Sequence, residues 1–216
     1  MSYAIKKYLI NLDHRVDRLH DFLESYNQAG FYDNPITRVS GILDKDFGGI
    51  GCAKSHLSAL TDFITNSQDD YCLIFEDDFL FKSTKQDLEK NLKDLVASTP
   101  NFKVFLLAGT YVIKKNSHSN ENITEIFESQ STSGYLINRC FIPTLMNNIC
   151  DSIIKMESYR HTHKRELIYS RFSIDQSWKR LQHEGGWYGT FPMSGIQAAS
   201  FSDIENKQVD YADASS

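Results

Sequence analysis

The chain has 216 residues, of which 41% are hydrophobic and 24% are charged, and its formal net charge is −5. This length and composition predict one soluble globular domain with a sizeable core. The acidic balance argues against nucleic acid as a partner, because nonspecific nucleic-acid binding requires a basic surface. Residues 1–12 have too short an apolar core for a signal peptide or a membrane span, and no later apolar run reaches membrane length.

Strand and helix signals alternate through the first half of the chain. In chain order the predicted elements begin with a strand over residues 7–12, a helix over 16–26 that stops near Gly30, and a strand over 36–40. A flexible glycine loop over 48–51, a helix over 53–64 and a strand over 71–75 follow. The last two elements are a helix over 88–95, with Ser83 and Gln86 as a capping box and Pro100 at its end, and a strand over 102–108. This alternation predicts a parallel, doubly wound sheet.

The alternation stops in the second half of the chain. The predicted elements there are a polar loop over residues 116–122, strands over 123–127, 134–137 and 187–191, helices over 142–156 and 174–181, and a polar tail without clear periodicity from Gly195 onward. The fold class is therefore α/β, with its regular part in the first half.

The apolar strand over residues 71–75 ends in the acid triplet Glu76-Asp77-Asp78. Carboxylates at the end of a buried strand repel each other and resist desolvation. A divalent cation would relieve both problems, because hard oxygen ligands suit Mg²⁺ or Mn²⁺. Ligands of open α/β sheets also bind at the carboxyl ends of the strands. The triplet predicts a metal that carries a substrate phosphate, and the alternative is an acidic turn without a ligand.

The first predicted strand turns into a helix between Asn11 and Arg18. A helix start favours anions through its free backbone amides and its dipole. Arg15 and Arg18 lie one turn apart and could clamp a phosphate or stack on a base. The alternative is a solvated helix face on which these arginines pair with Asp17 and Asp21.

Residues 51–56, with the sequence GCAKSH, begin another predicted helix. The glycines permit close backbone approach to a ligand, and Lys54 can meet an anion. His56 could hydrogen-bond a ligand or hold the loop of the acid triplet, and the alternative is a satisfied structural histidine.

Asp175 lies at the start of the predicted helix over residues 174–181 and is the fourth candidate. It could serve as a general base that takes a proton from an acceptor hydroxyl. The alternative is a helix N-cap, where a carboxylate is common.

These groups, in this order, resemble glycosyltransferase family 25, the lipooligosaccharide and collagen-type sugar transferases. The matching pieces are Tyr8-Leu9-Ile10-Asn11-Leu12 with Arg15 and Arg18, Gly51-Cys52 with Ser55-His56, Leu73-Ile74-Phe75 with the acid triplet, Ser133-Gly134-Tyr135-Leu136-Ile137, Asp175, Gln197 and Ser202-Asp203-Ile204. The ordered set, rather than any single piece, carries the resemblance.

The resemblance implies a GT-A fold, with a mixed central sheet flanked by helices. It implies one domain over residues 1–216, in which a Rossmann-like nucleotide-sugar-binding half (1–115) is fused to an acceptor-binding half (116–216). The implied activity is transfer of galactose or glucose from a UDP-sugar, with inversion, to a hydroxyl of a glycan, lipooligosaccharide or hydroxylysine acceptor.

By the same resemblance, the acid triplet is a DxD-type motif that holds Mn²⁺ (or Mg²⁺) against the diphosphate. Asp78 is the expected metal ligand with Asp77 beside it, while Glu76 faces the ribose or holds the loop. The expected donor-binding residues are Asn11, Leu12, Arg15, Arg18, Ser55, His56, Glu76 and Asp77. Asp175 is the expected catalytic base, and Asp203 or another carboxylate is the alternative.

The expected location is the cytoplasm, either of a bacterium, with at most peripheral contact at the inner membrane, or of a host cell for a viral enzyme. The four cysteines are widely spaced without a CxxC pair, which is typical of reduced structural thiols. Sequence does not indicate an oligomeric state.

Two other functions fit parts of the pattern. A nucleotidyltransferase would also use acidic residues and a metal, but it should carry a glycine-rich phosphate loop after the first strand, where this chain has Asn11-Leu12-Asp13-His14-Arg15. A catalytically degenerate sugar- or nucleotide-binding protein of the same fold is the other alternative, and the intact acid triplet argues against it.

Overall fold

The computed structural model describes residues 3–117, 122–198, 200–202 and 207–209. Its strands are β1 (Ile5–Asn11), β2 (Thr37–Ser40), β3 (Tyr71–Glu76), β4 (Phe79–Phe81), β5 (Val104–Leu106), β6 (Thr110–Ser117), β7 (Ile123–Gln130), β8 (Gly134–Asn138), β9 (Trp187–Thr190), β10 (Gly195–Gln197), β11 (Ser200–Ser202) and β12 (Lys207–Val209). Most of the loop predicted over 116–122 lies outside the described residues, and β6 occupies its first two positions.

The helices of the described residues are α1 (Val16–Tyr26), α2 (Gly48–Asn66), α3 (Lys85–Ser98), α4 (Ile142–Tyr159), α5 (Arg165–Phe172), α6 (Ile174–Ser177) and α7 (Lys179–His183). A π-type turn over Asn27–Phe31 extends α1, and Gly30 within it adopts a positive φ of 96°, which agrees with the predicted stop. Across the described residues, no helix combines the length and apolarity that crossing a bilayer requires.

The central sheet has the strand order β2-β1-β3-β8-β5-β9-β7-β6 in the described part of the chain. β1 pairs in parallel with both β2 and β3, as predicted for the first half. β8 runs antiparallel between β3 and β5, so the sheet is mixed rather than wholly parallel. The predicted fold class, a mixed α/β sheet flanked by helices, is confirmed.

The core lies in two layers on the two faces of this sheet. Along β3, Cys72 and Ile74 belong to one layer, which contains α2 and α4 side chains, while Leu73 and Phe75 belong to the other, with side chains of α1 and α3. This alternation follows from the two-residue period of a strand. Because both faces of β3 are covered, its sequence is a continuous apolar run, and the acid triplet begins where that cover ends.

The predicted glycine loop over residues 48–51 is wrong, since these residues form the first turn of α2. A Cβ at Gly49 would lie 2.6 Å from Cε1 of Tyr169, and one at Gly51 would clash with the carbonyl oxygen of Ile42. The glycines therefore allow close approach of other parts of the protein, rather than of a ligand.

Three further details differ from the predictions. Along α1, Val16 is 66% exposed, and the buried face carries Phe22 and Tyr26. The capping box of α3 is formed one residue later than predicted, by Thr84 and Asp87. In the predicted polar tail, β10 pairs antiparallel with β4, which brings residues 195–198 beside the acid triplet.

Candidate active site at the carboxyl ends of β1 and β3

A cleft that is partly open to solvent lies at the carboxyl ends of β1 and β3. These strands are parallel neighbours, so Asn11 at the end of one and Glu76 at the end of the other meet at the same edge of the sheet. The lining residues are Ile10, Asn11, Leu12, Arg18, Gly41, Ile42, Cys52, Ser55, His56, Glu76, Asp77, Asp78 and Gln197. The cleft therefore collects residues from three of the four predicted groups.

Asn11 is almost fully buried and its side-chain amide is fully engaged. Its Nδ2 donates to Oδ2 of Asp77 at 2.8 Å and to the carbonyl of Arg15 at 2.9 Å, while its Oδ1 accepts from Nε of Arg38 at 2.9 Å. Asn11 thus holds the acid triplet and the start of α1 in one arrangement.

Arg15 and Arg18 have different partners, although the sequence treats them as a pair. Nη1 of Arg18 lies 3.0 Å from Oδ1 of Asp77 and 3.7 Å from Oδ2 of Asp78. Arg15 instead makes two contacts to the exposed carboxylate of Asp17, at 3.0 and 2.9 Å. Arg15 therefore makes the pairing with Asp17 that the alternative described, and Arg18 is the arginine that lines the cleft.

Glu76 is bound by two donors from different parts of the chain. His56 Nε2 lies 3.2 Å from its Oε1, and the hydroxyl of Thr132 donates to the same oxygen at 2.5 Å. Burial raises the pKa of Glu76, but the hydrogen bonds from His56 and Thr132 outweigh burial and bring it below its ordinary value. Glu76 is thus held as a carboxylate without any ligand.

His56 is fully buried between Glu76 and Tyr135, whose hydroxyl lies 3.0 Å from Nδ1. A neutral imidazole that donates from Nε2 to Glu76 accepts at Nδ1 from this hydroxyl. Tyr135 is also fully buried and packs edge-on against Trp178, so it is a core residue. His56 therefore holds the loop of the acid triplet, which is one of the two roles considered for it.

Asp77 and Asp78 are each only 8% exposed. Burial raises the pKa of Asp77, opposed by Asn11 and Arg18. Burial, followed by repulsion from Glu76, raises the pKa of Asp78 to about 7. The surroundings of these two carboxylates therefore disfavour their charged forms.

One oxygen of Asp78 has no hydrogen-bond partner among the described residues. Its Oδ2 accepts from Nε2 of Gln197 at 3.0 Å, whereas Oδ1 is buried and orphaned. A buried carboxylate oxygen without a partner is rare, because no hydrogen bond offsets the free-energy cost of its desolvation. Asp77 and Asp78 together offer hard oxygen donors of the kind that Mn²⁺ or Mg²⁺ takes, so the residues present fit a divalent cation.

Ser55 lines the cleft but its hydroxyl is occupied by the protein. It donates to the carbonyl of Gly51 at 2.8 Å and accepts from the backbone amide of Ile42 at 2.8 Å. Ser55 thus fixes the segment that forms one wall of the cleft. Leu12 also lines the cleft, in the turn after β1.

Asp175 lies in α6 and receives two hydrogen bonds. The hydroxyl of Ser173 donates to its Oδ1 at 2.6 Å, and the amide of Ser131 donates to its Oδ2 at 3.4 Å. The helix N-cap is Ser173, so the capping alternative does not describe Asp175. Burial, which outweighs the hydrogen bond from Ser173, raises the pKa of Asp175, with a contribution from Glu76.

Residues 131 and 132, in the turn between β7 and β8, are the part of the site that the sequence did not indicate. Ser131 has a positive φ of 83°, its amide bonds Asp175, and its hydroxyl donates to Oε1 of Gln197 at 3.3 Å. Thr132 bonds Glu76. This turn therefore links Asp175, Glu76 and Gln197. Asp203, the alternative base, lies outside the described residues.

Three of the solved structures that match this chain resemble it at low identity over most of its length. A glycosyltransferase involved in the glycosylation of the major capsid of PBCV-1 is 8% identical, with a TM-score of 0.44 over 94% of this chain and 96% of that one. Mannose-1-phosphate geranyltransferase from Thermus thermophilus is 10% identical, with a TM-score of 0.48 over 91% and 74%. A protein from STIV is 13% identical, with a TM-score of 0.46 over 90% and 81%.

No curated protein matches this sequence significantly. Residues 46–162 match the family described as Glycosyltransferase family 25 (LPS biosynthesis protein). The matched region covers more than half of the chain and includes α2, β3 and the acid triplet. The chain therefore belongs to glycosyltransferase family 25.

Proposed function

We propose that this glycosyltransferase moves a hexose, galactose or glucose, from a UDP-sugar to a hydroxyl of a glycan, lipooligosaccharide or hydroxylysine acceptor, with metal assistance and inversion at the anomeric carbon. The observation that carries the proposal is the orphaned Oδ1 of Asp78, in a cleft that also holds Asp77. A buried carboxylate that lacks one partner is completed by a proton or a cation, and a cation at this edge of the sheet can meet a diphosphate.

Asp78, with Asp77 beside it, would hold Mn²⁺ or Mg²⁺. When bound, the ion supplies Lewis-acid neutralisation of the charge that develops on the departing UDP. Arg18 lies next to both carboxylates and its guanidinium can bond phosphate oxygens as well. The shape of the cleft is maintained by Asn11, His56 and Ser55, because their polar groups are hydrogen-bonded to other parts of the protein.

Asp175 is the proposed base. Its raised pKa makes its carboxylate a stronger proton acceptor than an ordinary aspartate, which suits removal of a proton from an attacking hydroxyl. The amide of Ser131 and the hydroxyl of Ser173 orient the carboxylate. Inversion follows from direct attack by that hydroxyl on the face of the sugar opposite UDP.

The proposal is tested by calorimetric titration with UDP, UDP-galactose, UDP-glucose, GDP-mannose and CMP-sialic acid, with and without Mn²⁺. We expect binding of uridine compounds only, dependent on Mn²⁺ and lost in Asp78→Asn. The matched control is Asp151→Asn, which removes an exposed carboxylate of α4 that pairs with Arg180 and should leave binding unchanged. Folded protein that binds no nucleotide in either condition would refute the donor proposal.

The role of Asp175 is tested separately by Asp175→Asn. Removal of a general base should lower the turnover number by about 10²–10⁴-fold while the affinity for UDP and Mn²⁺ stays the same. The anomeric configuration of the product, followed by NMR, reports inversion. UDP binding without any turnover, by the unsubstituted chain and across acceptor classes, would indicate the catalytically degenerate binding protein instead.

A further inference from the structure

The floor of the cleft carries a second group of potential metal ligands, of a different chemical kind from Asp77 and Asp78. Cys52 Sγ, a ring nitrogen of His56 and a carboxylate oxygen of Glu76 lie within 4.8 Å of one another. Thiolate and imidazole ligands select softer cations than paired carboxylates do. We propose that Cys52, His56 and Glu76 form a site for Zn²⁺ or a chemically similar soft cation, separate from the carboxylate pair.

The fold places the three donors without help from a ligand. Cys52 and His56 are one helical turn apart on α2, so they share the face that packs against the end of β3. His56 is fully buried, whereas Cys52 is partly exposed and lines the cleft, which gives a cation a route inward. Zinc bonds of about 2.0–2.3 Å require donors closer than about 4 Å, so small side-chain rotations complete the set.

The partner of the second histidine nitrogen suits a metal ligand. Nδ1 of His56 lies 3.0 Å from the hydroxyl of Tyr135, which can either donate or accept. When Nε2 binds a cation, the ring proton moves to Nδ1, which then donates to Tyr135. Histidine ligands of metals commonly donate their other N–H to a fixed acceptor in this way, which sets the ring orientation.

The charge of the surroundings favours a cation. Burial raises the pKa of the Cys52 thiol, and the nearby carboxylates of Glu76, Asp175 and Asp78 raise it further. The same negative charges attract a cation. On binding, the thiol of Cys52 loses its proton to solvent and a sulfur–metal bond forms, while Glu76 exchanges its contact with His56 for the cation. No oxidant or reductant is needed, and one proton is released for each cation bound.

The test is an anaerobic titration of the reduced chain with Co²⁺, which stands in for Zn²⁺ and gives an intense near-ultraviolet charge-transfer band when bound to thiolate. We expect the band to saturate at one Co²⁺ per chain, to disappear when Zn²⁺ is added, and to be absent in Cys52→Ser. Cys150→Ser is the matched control, because Cys150 is also partly buried but belongs to α4. It should retain the band.

A second variant separates this site from the proposed donor site. Asp78→Asn should keep the Co²⁺ band even where Mn²⁺-dependent UDP binding is lost. The Co²⁺ band thus tests the soft-cation site and UDP binding tests the donor site, so either proposal can fail without the other. Absence of the band in the unsubstituted chain, or its persistence in Cys52→Ser, would overturn the soft-cation site.

A measurement on the unsubstituted chain covers the case in which Cys52→Ser does not fold. Zn²⁺ should slow maleimide modification of Cys52 by about tenfold or more, because a metal-bound thiolate is a poor nucleophile. Mass mapping of modified peptides should show no such protection of Cys150. Equal rates at Cys52 with and without Zn²⁺ would contradict the proposal.

Discussion

The two ends of the acid triplet differ in how far the protein itself satisfies them. At one end, Glu76 receives hydrogen bonds from His56 and Thr132, and its pKa is below its ordinary value. At the other end, Asp78 has one bond from Gln197 and one orphaned oxygen, and burial raises its pKa to about 7. Two carboxylates only two residues apart therefore have opposite preferences for charge.

Position in a motif therefore does not determine a carboxylate's role. Glu76 has its hydrogen-bond partners without a ligand, so in the unliganded chain it contributes to the structure of the cleft. Asp78 is completed only by a proton or a cation, so it is the residue at which ligand binding can be coupled to charge. Four predictions separate these two descriptions.

The largest effect is expected from Asp78→Asn, which keeps the shape of the side chain but removes its charge. Glycosyl transfer should fall by about 10²–10³-fold, the size of loss seen when one electrostatic stabiliser of a transition state is removed. Steady-state kinetics with saturating Mn²⁺ measure it. If activity in Asp78→Asn stays within about twofold of the unsubstituted enzyme, the role of Asp78 as metal ligand is wrong.

His56→Ala should lower the stability of the fold even in the absence of any ligand. It leaves the carboxylate of Glu76 buried without its main partner and also removes the partner of Tyr135. The free energy of unfolding should fall by about 2–4 kcal/mol, measured by urea denaturation. His20→Ala is a matched control, because His20 is exposed on α1, and it should leave stability unchanged. Equal stability of the two variants would show that the Glu76 end is not held by His56.

The pH dependence of stability should separate Asp78 from the rest of the chain. Because the folded pKa of Asp78 is about 7 and its ordinary value is 3.8, the folded state holds the extra proton between these values. The stabilisation of the folded state by this proton is therefore lost as pH rises from about 4 to about 8. Over that range the free energy of unfolding should fall by about 1–3 kcal/mol relative to Asp78→Asn.

Thermal unfolding of both proteins in chelator across this pH range measures the difference. Saturating Mn²⁺ should reverse the slope for the unsubstituted chain, since the cation binds the deprotonated carboxylate. Parallel curves of stability against pH for the two proteins in chelator would mean that Asp78 is charged at neutral pH even when no cation is bound.

The smallest effect is expected at Arg15. Its ion pair with Asp17 has a solvent-exposed carboxylate, so Arg15→Gln should change the free energy of unfolding by under about 1 kcal/mol and leave UDP affinity unchanged. Arg18→Gln, the matched variant one turn along α1, should weaken Mn²⁺-dependent UDP binding. Equal effects of the two variants on UDP binding would contradict their different assignments.

The sequence predicted the parts of the site that are local to β1 and β3. An apolar strand that ends in three acids can be recognised from neighbouring residues, and the carboxyl ends of parallel neighbours meet by geometry. The strand and helix order of the first half was predictable for the same reason, because periodicity is a local signal. The residues around Asn11 and the acid triplet were found in this way.

The rest depended on contacts between distant parts of the chain. Gln197, which only the family resemblance had indicated, bonds Asp78 across 119 positions, and Thr132 bonds Glu76 across 56. Neither lies in a periodic segment, and β10 has only three residues. The glycines of α2 were misread because only the folded structure shows Ile42 and Tyr169 against them. The different roles of Arg15 and Arg18 could not be predicted, because the sequence does not show which aspartate each arginine meets. In the structure Arg15 pairs with Asp17 and Arg18 pairs with Asp77.

The position of β8 has a consequence for how the chain reaches its folded state. β8 is contributed by residues 134–138, yet it fills the space between β3 and β5 at the middle of the sheet. Until it is inserted, β3 has an open edge and the turn over residues 131–133 cannot reach the end of that strand. Such pairing closes long loops of chain and is intrinsically slow. A nascent chain that has emerged only through β5 carries the acid triplet with Asn11 and His56 but without Thr132 and Gln197, so donor binding should appear late in synthesis.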